Sequence, residues 1–411
     1  MSNNKILEIA VDCGFSSSKI TVANTFILDI PSQIVNISNE NALKIGTKKP
    51  GYIETYLQSS KGNVYVIGKA AVQKIAQNEA SYSQNASENE KVNLTFDRFT
   101  SAENTIYLHA CIAQAMIEYS EYCKKHKTDV MFDIDEYISN PAAWKIYLVL
   151  GFPHSEFEEI FKRVKISLDN PIGLHIKTVS EVSNELIEKD ITFKVNVATA
   201  YSQGLASLMS VVLDEDGYAI EDSEIYDNRP LLIIEAGQKT VAIYVYTASD
   251  TIESEESNTD FAMYNVYESM IEQIKKTSEH IKISVTDIAT RMENNNTNVR
   301  YTVPGEGVKE IDLKDFYAES LENACTDLIE YVNNKFSYLQ DMNGILVAGG
   351  TGKAYYEQIK KILPQTNPFI KDSINLATFK HKGQTIEPRY AITVGLAKVL
   401  HQFVIEDTEA N

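Results

Sequence analysis

Asp12, Gly14, Ser16, Ser17, Ser18 and Lys19 stand together between two apolar runs near the start of the chain. One carboxylate, one ammonium, three hydroxyls and a glycine within eight residues form a set able to hold an anion. Hydroxyl and backbone N–H groups donate, the lysine adds a point charge, and phosphate is the first candidate ligand. A solvated hairpin tip is the alternative reading of the same residues. Other chemistries lack their parts. The seven histidines are scattered without an HExxH pattern. Cys13, Cys111, Cys123 and Cys325 show neither CxxC nor metal-ligand spacing, so they are expected as reduced thiols used as small apolar residues. No structural metal site is expected.

The elements that must position this turn are legible on either side of it. Ile6, Ile9, Val11, Ile20 and Val22 are β-branched and predict a β-hairpin. "NVYVIGKAAV" (Asn63–Val72) predicts a strand turning at Gly68, and Ser81–Asn93 is polar enough for a surface loop. Ser101 is a plausible N-cap for a helix with apolar residues at Ile106, Ala110, Ala113 and Ile117. "WKIYLVLGFP" (Trp144–Pro153) reads as a buried strand, and strand alternation gives way to helix near Ser202. The second half repeats the opening: "RPLLIIEAGQKTVAIYVYTA" predicts two strands joined at Gly237. An acidic segment, "TIESEESNTDF", is expected as a solvated loop. Helices at Tyr264–Ile281 and Leu313–Phe336, a strand and glycine turn at Gly344–Gly352, and a last helix from about residue 388 follow. Two related α/β domains around a nucleotide cleft account for this duplication.

A chain of 411 residues favours two or three domains, and 44% hydrophobic residues supply a sizeable core. The formal net charge of −19 repels phosphate backbones, which argues against direct nucleic-acid binding. Any anionic ligand needs a local site. The longest apolar runs, such as Leu231–Ile234 and Ile345–Ala348, are far too short to span a membrane, and the N-terminus carries no secretory signal. A soluble cytoplasmic protein is expected.

Six motifs in order resemble the actin, Hsp70 and sugar-kinase superfamily, and within it the bacterial actin-like proteins of the plasmid-segregation ParM type. "VDCGFSSSK" resembles the first phosphate loop, with Lys19 seven positions after Asp12. "LGFP" (Leu150–Pro153) resembles the family's TGLP turn, and "ATAYSQGLASLM" the connecting segment that carries a catalytic Gln or Glu, here Gln203. "IIEAGQKTVAIYVY" resembles the second phosphate hairpin, "ILVAGGTG" the adenosine turn, and "PRYAITVGLAKVL" the final helix returning to the first domain. The resemblance implies a duplicated, ribonuclease H-like α/β fold. It places an actin-like domain I at residues 1–199, joined by the helix at about 388–411, and a domain II at 200–387.

The resemblance also implies site roles. Gly14, Ser16, Ser17, Ser18 and Lys19 hold the β-phosphate of ATP or GTP, and Asp12 holds a water of bound Mg²⁺, because that ion dehydrates reluctantly. Gln203 orients the attacking water, since an amide positions rather than deprotonates. Gly237 and Thr240 belong to the second phosphate turn, with Glu235 catalytic, and Gly349, Gly350 and Thr351 lie at the nucleoside. The second hairpin departs from the family: Glu235 stands for an aspartate, and Gln238 and Lys239 stand where glycines or small residues are preferred.

The implied function is a cytoskeletal filament former that polymerises with itself, hydrolyses the triphosphate as the filament turns over, and segregates plasmid DNA through a ParR-like adaptor. A slowly hydrolysing, nucleotide-stabilised scaffold is the alternative that the altered hairpin favours. A small-molecule kinase lacks a convincing catalytic aspartate in a polar pocket, and a chaperone-like ATPase lacks length after the last helix for a substrate domain.

Overall fold

The computed structural model describes residues 5–14, 16–37, 49–60, 62–81, 97–154, 157–220, 230–247, 251–336, 342, 344–366 and 374–410. Most of the polar loop expected at Ser81–Asn93 lies outside them. Two compact units divide the chain. The first comprises Met1–Ile220, Lys380–Thr385 and Ile392–Asn411, and the second Glu221–Phe379 and Ile386–Ala391.

The first unit holds strands β1 (Lys5–Cys13), β2 (Ser17–Val22), β3 (Phe26–Pro31), β4 (Ile34–Asn36), β5 (Ile53–Leu57), β6 (Tyr65–Ile67), β7 (Trp144–Phe152), β8 (Ile172–Val179), β9 (Leu186–Phe193) and β10 (Val197–Ser202). Its helices are α1 (Lys69–Ser81), α2 (Asp97–Thr100), α3 (Ala102–Lys125), α4 (Ile134–Ser139), α5 (Phe157–Leu168) and α6 (Gln203–Val212). One sheet runs β10-β7-β1-β2-β3, with β1, β7 and β10 parallel and the two hairpins antiparallel. Because both faces of this sheet are covered, β1 reads as a nearly continuous apolar run. Leu7, Ile9 and Val11 face the core that contains α3, while Ala10 faces α6 and the C-terminal helix. The second sheet of the unit runs β4-β6-β5-β8-β9, and α3 packs against strands of both sheets. That explains why α3 is buried almost all round from Ile106 to Cys123 rather than along one stripe. Ser101 caps it, its side chain accepting from the Asn104 N–H at 3.1 Å.

The second unit repeats the first sheet. Strands β11 (Leu231–Ala236), β12 (Val241–Thr247), β13 (Thr251–Asn258), β14 (Asn298–Val303), β15 (Gly307–Asp312), β16 (Gly344–Ala348) and β17 (Ile374–Leu376) alternate with α7 (Met263–Thr277), α8 (Val285–Glu293), α9 (Lys314–Lys335) and α10 (Gly352–Thr366). The order β13-β12-β11-β16-β17 has the connectivity of β3-β2-β1-β7-β10: an antiparallel three-strand meander, then two parallel strands added on the other side of the first. The acidic segment expected as a loop forms β13, paired with β12 from Val241↔Asn258 to Thr247↔Thr251. Backbone pairing overrides its composition, and a charged strand is well tolerated at the sheet edge it occupies.

A short hairpin of β18 (Phe379–His381) and β19 (Gln384–Ile386) precedes the last helix, α11 (Ala391–Ala410). Ile392, Leu396 and Leu400 recur every four residues and pack on Ala10, Tyr147 and Val149, so α11 covers the outer face of the first sheet. The first unit extends past residue 199 to Ile220 because α6 packs Ala206 into this same cluster. Among the described residues, no helix is long and apolar enough to cross a membrane.

Candidate functional site

The hairpin register places Asp12 directly opposite Lys19, which gives the seven-residue spacing its meaning. The Lys19 ammonium lies 3.6 Å from Asp12 Oδ2, and both residues are buried. A buried ion pair is weak evidence for stability, since desolvation offsets the Coulombic gain. Charges kept here therefore speak for chemistry. Gln203 completes the group: its Nε2 donates to Asp12 Oδ1 at 2.7 Å.

Gly151 lies between Gln203 and Asp12. Gln203 emerges from the end of β10, Asp12 sits on β1, and β7 lies between them with Gly151 in register with both Tyr201 and Asp12. A Cβ on Gly151 would stand 3.5 Å from Gln203 Cγ and 2.8 Å from Leu396 Cδ1. The Gln203 distance is an ordinary contact, so the glycine of "LGFP" makes room for Leu396 of the C-terminal helix rather than for Gln203.

The three serines separate. Ser16 is exposed in the turn, whereas Ser17 and Ser18 belong to β2 and are buried. Ser18 is buried near the Tyr107 hydroxyl, and as the neighbour of Lys19 in β2 its side chain points to the opposite face. Ser32, which the sequence did not single out, holds the loop: its Oγ donates to the Gly14 carbonyl at 2.8 Å and its N–H to the Ser16 carbonyl at 2.9 Å. The Ser17 carbonyl accepts from Lys19 Nζ at 3.4 Å. The Gly14 N–H is itself taken up by the Asp12 carbonyl at 2.9 Å, so the Lys19 ammonium and the exposed Ser16 are what this turn offers an anion.

The second unit builds the matching turn. Glu235 is the penultimate residue of β11, as Asp12 is of β1, but faces Ala242 rather than a lysine across the hairpin. The Tyr244 hydroxyl, two residues further along β12, donates to Glu235 Oε2 at 3.5 Å. Gly237 N–H donates to the Thr240 carbonyl at 2.9 Å and closes the turn. The Gly237 and Gln238 carbonyls accept from the Met263 and Tyr264 N–H groups at 3.3 and 2.8 Å, so the amino end of α7 takes them up. Lys239 places its ammonium 3.8 Å from the centre of the Tyr264 ring.

Gly349, Gly350 and Thr351 join that turn from β16. The Thr351 N–H donates to the Ala236 carbonyl at 3.0 Å, its Oγ1 to the Gly237 carbonyl at 3.4 Å, and the Gly349 N–H to the Pro388 carbonyl at 3.2 Å. Gly349 has φ +94°, and a Cβ there would lie 2.3 Å from Ala236 O, so only glycine fits. Apart from Ser18, whose side chain is turned into the core, the predicted residues therefore lie in one region of each unit, each at the carboxyl ends of parallel strands, where open α/β sheets bind ligands.

Mg²⁺ and a nucleotide fit the donors of the first group. Asp12 offers carboxylate oxygens already oriented by Lys19 and Gln203, which suits a hydrated ion that is contacted through water and held mainly by phosphates.

No protein-family model matches the chain. Over 132 residues it is 28% identical to the arginine–tRNA ligase of Aliivibrio salmonicida, a stretch covering 32% of this chain and 22% of the ligase. Solved structures match over nearly the full length. The actin-like protein Alp7A superposes with a TM-score of 0.67 at 16% identity, covering 98% of each chain. A protomer of a 15-stranded ParM filament from Clostridium botulinum gives 0.64 at 17% identity, covering 97% of this chain and 100% of that one. ParM of Bacillus thuringiensis with ATP gives 0.57 at 13% identity, covering 98% and 100%. The fold of this chain is the actin-like fold.

Proposed function

We propose that this protein is a nucleotide-dependent, actin-like filament former that hydrolyses ATP or GTP with Mg²⁺ and segregates plasmid DNA through a basic, ParR-like adaptor. The observation that carries the reading is the buried group of Asp12, Lys19 and Gln203, brought together from β1, β2 and the end of β10, with β7 between β10 and β1. It is supported by the likeness to proteins described as a ParM filament and as ParM with ATP. The net charge of −19 supports an adaptor rather than direct contact with DNA.

Each residue then has a task. Lys19 neutralises phosphate charge with the exposed Ser16 hydroxyl as a donor beside it, and Asp12 orients a metal-bound water. Gln203, anchored through its amide nitrogen, turns its carbonyl oxygen to a second water as hydrogen-bond acceptor and aligns it for in-line attack. Bound Mg²⁺ supplies charge neutralisation between the phosphates. Glu235 takes the equivalent role from the second hairpin, held by Tyr244.

A slowly turning scaffold is the second reading. It is favoured by Lys239, whose ammonium lies over Tyr264, and by Gln238 in a turn where glycine gives the closest approach to phosphate. Light scattering of the purified protein with ATP, GTP, ADP and GDP, followed by electron microscopy and phosphate-release measurements, tests both. Triphosphate-dependent filaments with phosphate release are expected. Filaments that persist without release favour the scaffold, and a protein that neither binds nucleotide nor assembles refutes the proposal.

A further inference from the structure

The helix that carries Gln203 is anchored at its other end by a buried lysine. At its amino end, Gln203 reaches the Asp12 carboxylate. At its carboxyl end, Lys398 Nζ of α11 donates to the Ser210 carbonyl at 2.8 Å and to the Leu213 carbonyl at 2.7 Å. Lys398 is 2% exposed. A buried anion at the amino end and a buried cation at the carboxyl end both complement the helix dipole. One turn before Lys398, α11 crosses α6 at Gly395, where an added Cβ would lie 1.8 Å from Ala206 O. The crossing fixes the sideways distance between the helices, and the lysine fixes the position of α6 along its axis.

We infer that Lys398 is a positioning residue for Gln203: by pinning the carboxyl end of α6 it sets where the water-orienting amide stands at the amino end. The inference rests on the hydrolytic reading of the site. A ten-residue helix is a rigid rod of roughly 15 Å, so slack at one end moves the other. A misplacement of about 1 Å is enough to cost on the order of a hundredfold in rate.

The ammonium is also poised to change state. Burial pushes the Lys398 pKa down to about 8, against the pull of Asp214 and Glu215 in the segment after α6. His381 of β18 is a further titratable neighbour, and the Lys398 charge contributes to lowering its pKa. Deprotonation above pH 8 weakens the bonds to the two carbonyls and removes the charge that complements the dipole. Stability moves the other way. The unfolded lysine still binds its proton between about 8 and 10.4, so this group contributes increasing stability as pH rises through that window. An alkaline loss of rate from this source therefore comes without melting.

Phosphate-release kinetics of the wild type, Lys398→Met and Lys398→Arg between pH 6.5 and 9.5, with thermal melting at each pH, test the inference. In the wild type kcat should fall above pH about 8 while the melting temperature and nucleotide affinity hold. Lys398→Met should lose about a hundredfold in kcat at pH 7, the scale of such a misplacement, with KM little changed and no alkaline fall. Lys398→Arg, which stays charged, should remove the alkaline fall and keep most of the rate. Wild-type kcat in the Met variant, or an unchanged alkaline fall in the Arg variant, overturns the inference; if the Met variant does not fold, the Arg profile decides. A wild type that releases no phosphate refutes the hydrolytic reading itself, which is a different result from variants that hydrolyse as the wild type does.

Discussion

Gly349 and Gly350 are adjacent, yet alanine at the two positions should act in opposite ways. At Gly349 the backbone has φ +94°, and a new Cβ would lie 2.3 Å from Ala236 O and 2.9 Å from Ala236 C and N. Backbone atoms cannot swing aside as a side chain can. Left-handed strain for a non-glycine residue costs about 1–2 kcal/mol. Moving the turn also breaks the 3.0 Å bond from Thr351 N–H to the Ala236 carbonyl, a net loss of about 1 kcal/mol. The sum, about 2–3 kcal/mol, corresponds to a fall of roughly 4–12 °C in the melting temperature of a unit this size. At Gly350 nothing lies within 4 Å of the added atom and the residue is exposed, so the change should stay within about 0.5 kcal/mol. Scanning calorimetry of both variants measures the difference. Titration with Mg-ATP then shows whether the Gly350→Ala methyl, harmless to the fold, weakens nucleotide binding. Equal melting shifts for the two variants, or none for Gly349→Ala, would refute the reasoning.

Three further outcomes are expected. Gln203→Ala should leave assembly with triphosphate intact, slow phosphate release by roughly a hundredfold, and lengthen filament lifetime seen by time-resolved microscopy; normal release assigns the water to another residue. Glu235→Asp, alone or with Gln238→Gly, should slow release about tenfold, because the shorter carboxylate withdraws from Tyr244 and its water. A faster rate would instead show that the longer side chain is a handicap. His401 Nδ1–H donates to the Glu8 carboxylate, with both oxygens at 3.0 Å, and that hydrogen bond raises the His401 pKa. Its contribution to stability is complete below the ordinary histidine value near 6.5 and is lost as pH rises through the raised folded value. Urea unfolding at pH 6 and 8.5 should show this loss in the wild type and not in His401→Gln.

What the sequence determined by itself is local. Asp12 and Lys19 are seven residues apart, and a hairpin turns that spacing into a cross-strand pair without help from elsewhere. The strand-to-helix change at Ser202, the Ser101 cap and the repeated strand-turn-strand opening of the two halves were legible for the same reason: short-range periodicity and turn chemistry decide them. Contacts over long chain separations were decided only by the tertiary structure. Gln203 meets Asp12 across 191 residues, and it does so because the strand order puts β10 and β1 on either side of β7. Lys398 reaches the end of α6 across 188 residues, and its helical periodicity shows only that it lies on α11. Composition misread β13, whose acidic residues join an edge because β12 offers a free side for backbone pairing. The paired glycines of the β16 turn look alike as letters and differ because the Ala236 backbone crowds one of them alone. Residue type and spacing set what each segment can form, whereas which groups share a site depends on which strands become neighbours, a property of the whole sheet.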